Sequence, residues 1–107
     1  MKKAQHLDML PFEAEEVATS IGKKIQLARR ARGWTQSDLA AKMGVSVNMI
    51  VNLEKGLPSV AFGQVVMALW VLDGLDVLRE AARVDLDPVI QQEALSRLPQ
   101  RTRGSHG

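Results

Sequence analysis

Residues 36–55, QSDLAAKMGVSVNMIVNLEK, constrain the fold more than any other stretch of the chain. Leu39, Met43, Ile50 and Leu53 fall at helical spacing and supply the inward faces of two short helices. Ala40 is small where the two cross, and Gly44 stands where the chain must turn. Thr35 and Ser46 occupy the cap positions of the two helices, with Asp38 placed to reach back in a capping box. Two helices locked at a wide angle in this way form a helix-turn-helix. One of them then faces outward, the shape that enters a DNA major groove.

The remaining composition agrees with a small helical body. A chain of 107 residues is one domain, and with Tyr absent and only two Trp its core must be built from Leu, Val, Ile, Met and Ala. Cysteine is absent, which excludes a disulfide framework, a thiolate metal site and a Cys nucleophile. The only histidines, His6 and His106, lie near the two ends. There is no paired acid and base, no Gly-rich phosphate loop and no metal-ligand cluster, so neither catalytic residues, a metal nor a cofactor are expected. The longest apolar run, residues 65–72, is far too short to span a bilayer, and the start of the chain makes a poor secretory signal. A cytoplasmic protein without membrane contact is expected.

Local signals divide the chain into a 1–19 extension, a 20–86 body and an 87–107 tail. In the extension Pro11 can open a short helix. Ser20 is read as the N-cap of a helix through residue 32, closed by Gly33, with Ile21, Ile25 and Ala28 facing in. Beyond the helix-turn-helix, Ser59 caps a strongly apolar helix over residues 60–72, which Gly74 breaks. A further helix is predicted over 75–83 and a weak one over 87–98, followed by a basic tail. No strand and no internal repeat are visible. The apolar run over 65–78 exceeds what so small a body can cover. This argues for a homodimer burying Val71, Leu75 and Leu78, with two recognition helices about one DNA turn apart on a palindromic operator.

Charge is uneven. The net value of +2 resolves into −2 over residues 1–19, +5 over 20–64 and −1 over 65–107. The positive field therefore lies on the helix-turn-helix, where a polyanion needs it.

The segment ARRARGWTQSDLAAKMGVSVNMIVNLEKG resembles the helix-turn-helix of the Xre/Cro/phage-repressor family, its Gly-aromatic-Thr-Gln, Leu-Ala, Gly-Val-Ser and Leu-Glu-x-Gly landmarks in order. The resemblance covers residues 20–73 and implies an all-α, lambda-repressor-like bundle of about five helices with short terminal extensions. It implies that Val47, Asn48, Asn52 and Met49 face base edges. Asn can pair with adenine N6 and N7, Val47 can touch a thymine methyl, and Met49 replaces the Ser or Thr usual in relatives. It also implies phosphate contacts from Gln36, Ser46, Lys55, Lys24 and Lys42, and an internal salt bridge between Arg29 and Glu54. The GLPSVAFGQV connection and the Arg-rich tail further resemble the HipB-type antitoxins, which implies a HipA-like Ser/Thr kinase toxin as partner beside double-stranded DNA. A stand-alone phage-type repressor without a toxin is the alternative.

Overall fold

A computed structural model describes residues 10–97 of the chain. Among them the regular structure is entirely helical: α1 (Phe12–Ala31), α2 (Gln36–Met43), α3 (Val47–Lys55), α4 (Phe62–Val71) and α5 (Leu75–Ala81). Two compact units are distinguished, one ending at Leu75 and one beginning at Asp76.

In the first unit α3 is enclosed by α1 and α2, and α2 also packs on α4. The core is aliphatic: Ile25 from α1, Leu39, Ala40 and Met43 from α2, Ile50 and Leu53 from α3, and Ala68, Leu69 and Leu72 from α4 and its end. Both cap signals of the helix-turn-helix are realised. Thr35 Oγ1 accepts the Asp38 N–H at 3.0 Å while an Asp38 carboxylate oxygen accepts the Thr35 N–H at 2.8 Å, and Ser46 Oγ accepts the Met49 N–H at 3.1 Å. The Thr35 N–H holds the Asp38 carboxyl below the usual carboxylate range.

Three features differ from the sequence reading. First, Ser20 caps nothing. A single helix runs through it from Pro11, which takes the N-cap position, to Ala31, and the 19/20 boundary falls inside that helix. Glu13 and Glu15 in the first turn and Arg29 and Arg30 in the last complement the helix dipole, so the helix has no local reason to stop at Ser20. Second, α4 starts at Phe62 rather than at residue 60, with no side-chain cap from Ser59. It ends in a left-handed Asp73 (φ 58°), not at Gly74, whose N–H instead bonds the Leu69 carbonyl at 2.6 Å. Third, the expected 75–83 and 87–98 helices are shorter. The second unit holds most of α5, a 3-10 turn (Val84–Leu86), a π-helical segment (Ile90–Ala94) and a second 3-10 turn (Leu95–Arg97). None of the residues whose burial is described there is buried, so its helices lack the packing that lengthens marginal helices. The boundary between the two units falls after Leu75, the first residue of α5, whereas the sequence reading placed one at 86/87.

Candidate nucleic-acid interface

Two features fix α3 in place. The first is a close backbone approach to α1. A Cβ on Gly22 would stand 2.6 Å from the Glu54 carbonyl oxygen, and one on Gly56 would stand within van der Waals overlap of the Ala18 carbonyl. Gly22 and Gly56 therefore let α1 pass directly over the C-terminal turn of α3, where Gly56 also takes a left-handed conformation (φ 71°).

The second is a buried ionic clamp. Arg29 Nε donates to Glu54 Oε2 at 2.6 Å, its Nη2 donates to Oε1 at 3.0 Å, and its Nη1 donates to the Trp34 carbonyl at 2.7 Å. Gln36 Nε2 donates to the same Oε1 at 3.1 Å. The two charged side chains are 7% and 2% exposed. Burial opposes ionisation of Glu54, but the hydrogen bonds from Arg29 and Gln36 together with the Arg29 charge outweigh it, and the carboxyl is held below its ordinary range. The hydrogen bonds to Glu54 in turn raise Arg29. One carboxylate thus ties α3 to α1, to the first residue of α2 and, through Arg29, to the connection between them.

With Ile50, Leu53 and Glu54 turned inward, the opposite side of α3 carries Asn48 and Lys55, both exposed, with Asn52 half-buried between them. Val47 is exposed at the helix start, and Met49 is half-buried on the flank. Ser46 spends its oxygen on the Met49 N–H, leaving its own O–H free to donate, and Gln36 keeps one amide N–H beyond the one given to Glu54. The structure therefore groups Val47, Asn48, Asn52 and Lys55 on one helix, with Ser46 at its start and Gln36 attached through Glu54. Lys24 and Lys42 stand on other elements. Lys24 is exposed on α1, and the Lys42 ammonium lies over the Trp34 ring, 4.6 Å from its centroid. Val71, Leu75 and Leu78 are each half-buried within the chain.

Two residues escaped the sequence reading. Val51 is half-buried beside Asn48 and Asn52, and its spacing from Val47 and Asn48 was the available signal. Arg32 donates from Nη2 to the Leu72 carbonyl at 2.5 Å and from Nη1 to the Ala28 carbonyl at 3.1 Å, tying the ends of α1 and α4 together. No local pattern announces a bond between residues so far apart in sequence.

The Helix-turn-helix family profile matches residues 25–64, the segment that holds the clamp and the exposed face of α3. An HTH-type transcriptional regulator of Sinorhizobium fredii, y4mF, itself described as uncharacterized, is 33% identical over 64 residues, 59% of this chain and 84% of the relative. The chain belongs to the Xre-type helix-turn-helix family. Antitoxin HipB of Escherichia coli O6:H1 is 38% identical over 47 residues, 44% of this chain and 50% of that protein, so the match spans only half the length of the antitoxin. No solved structure gives a significant match. As a helix-turn-helix regulator the protein binds DNA, and the all-α fold expected for the family is the one observed. Among the described residues no helix is long and apolar enough to cross a membrane.

Lys55 is exposed at the C-terminal end of α3. For a phosphate contact there, Lys55→Ala is expected to weaken binding to all DNA sequences by a similar factor and to lower the slope of log affinity against log salt by about one. Titrations at several salt concentrations check this, and an unchanged slope removes Lys55 from the phosphate contacts.

Proposed function

We propose that the protein is a cytoplasmic autorepressor that binds a palindromic operator as a homodimer, and that it is the HipB-type antitoxin of an operon whose HipA-like kinase it also neutralises. The observation that carries the DNA half is the face of α3, where Asn48, Asn52 and Lys55 are presented opposite the buried Ile50, Leu53 and Glu54. Asn48 and Asn52, with Val47, read base edges in the major groove. Ser46, Gln36 and Lys55 position the helix on phosphates, and Lys24 and Lys42 add to the surrounding positive field.

The likeness to Antitoxin HipB supports the second half. That likeness covers 47 residues, half of the antitoxin's length. The more extensive match to a protein described only as a transcriptional regulator favours a second reading, a stand-alone repressor without a toxin.

Selection from random DNA with the purified protein tests the first half. Enriched sites are expected to be dyad-symmetric, with half-sites one helical turn apart, and enrichment of no common sequence contradicts it. For the antitoxin half, a HipA-like kinase encoded beside the gene is expected to co-purify with the protein and to lose activity in its presence. A kinase that stays fully active, or the lack of such a neighbour, leaves the stand-alone repressor.

A further inference from the structure

The homodimer proposed above needs a surface, and among the described residues α4 carries one with the chemistry of self-association, centred on other residues than the Val71, Leu75 and Leu78 expected from the sequence. We infer that α4 pairs with α4 of a second copy, antiparallel about a twofold axis at Val66. This inference depends on the dimer reading and adds where and how the two copies meet.

Phe62, Met67 and Trp70 are 69%, 40% and 62% exposed: Met67 and Trp70 lie on the side of α4 away from the buried Ala68 and Leu69, and Phe62 stands uncovered in the first turn of the helix. Phe62, Val66 and Trp70 follow one another at intervals of four residues and form a single ridge about 12 Å long. Val66 is its midpoint. An antiparallel twofold pair therefore sets Phe62 against Trp70 of the partner at both ends, with the two smaller Val66 side chains meeting at the centre. The opposed helix dipoles favour this direction over the parallel one.

Charge identifies the occupant. A twofold interface sets one surface against itself, so any charge near the axis meets its own kind. Residues 56–72 contain no charged side chain, so nothing on α4 repels a second α4. DNA finds no cation there. Size agrees as well. Four aromatic rings from two copies supply about half of the roughly 1,000 Å² a biological interface requires, and Val66, Met67 and the neighbouring surface supply the remainder. Gly63 completes the surface. Nothing lies within 4 Å of where its Cβ would stand, so it leaves a flat place beside Phe62 on which an indole can lie.

The chain has no cysteine, so single introduced cysteines report the geometry cleanly. Oxidised with copper phenanthroline, full-length Val66→Cys is expected to become covalent dimer in more than half of the molecules, because residues on the axis come within disulfide reach. Ala31→Cys, exposed on α1, remains monomeric. Phe62→Cys and Trp70→Cys cross-link poorly alone and efficiently when mixed. Gly63→Glu, whose Cβ has nothing within 4 Å in its own chain, raises the dimer dissociation constant at least tenfold by sedimentation while leaving the monomer folded. If the wild type sediments as a dimer but Val66→Cys does not cross-link and Gly63→Glu stays dimeric, the α4 pairing is overturned and the dimer stands. If Phe62→Cys and Trp70→Cys each cross-link to themselves, the antiparallel order is overturned. A wild type that is monomeric both free and on its operator overturns the dimer reading, and the pairing with it.

Discussion

Glu54→Ala lowers the stability of the folded chain by about 3–5 kcal/mol, the cost of leaving a buried guanidinium without its counter-charge. Arg29 keeps its bond to the Trp34 carbonyl in that variant but loses both bonds to the carboxylate in a site from which water is excluded. The penalty belongs to the orphaned charge rather than to the worth of the pair, so the double variant Arg29→Met/Glu54→Leu is expected to recover much of the loss. Urea unfolding of the single and double variants measures both numbers. A loss below about 1 kcal/mol for Glu54→Ala would place the pair with exposed salt bridges and contradict the clamp.

The same carboxylate sets a pH dependence. Its folded-state titration lies below the ordinary value, so its contribution is complete above about pH 4.3, where the unfolded-state group is ionised. The contribution is lost as pH falls through the folded-state value. Asp38, lowered by the Thr35 N–H, acts in the same direction. Thermal stability is therefore expected to fall on acidification in the wild type, and less steeply in the double variant. Equal slopes in both would remove Glu54 from the account.

Gly56→Ala is the second large effect. A left-handed residue with a Cβ costs about 1–2 kcal/mol, and displacing the α1 backbone at Ala18 adds about 1–3 kcal/mol of overpacking. Gly44 separates the two contributions. It has almost the same conformation (φ 70°) but nothing within 4 Å of its Cβ position, so Gly44→Ala incurs the conformational part alone. Equal losses for the two substitutions would show that α1 yields freely and that the close approach does not fix α3.

Which features were legible in the sequence follows from whether their causes are local. Thr35, Asp38, Ser46 and Gly44 act within a turn of themselves, and the inward spacing of Leu39, Ile50 and Leu53 repeats along single helices, so the helix-turn-helix could be read directly. Gly22 could not. A glycine inside a helix ordinarily weakens it, and here the reason for it is the backbone of α3, more than thirty residues away. Ser20 beside it looked like a boundary because serine caps helices readily, although packing along α1 carries the helix through. The same distance hid the Arg32 bond to Leu72 and the Gln36 bond to Glu54. The latter changes how Gln36 works, since one of its N–H groups is already committed to the protein and its place against a phosphate is set by Glu54. Past Gly74 the apolar residues continue, but no partner surface within the described residues buries them, and helical periodicity alone overestimated the helices.

In the proposed function the exposed face of α3 reads DNA sequence. Anisotropy titrations of Asn48→Ala and Asn52→Ala against a selected operator and a scrambled duplex test it most directly. Each substitution is expected to cost about 1–3 kcal/mol on the operator and nothing on the scrambled duplex, narrowing the gap between the two. Variants that bind the operator as tightly and as selectively as the wild type would contradict it.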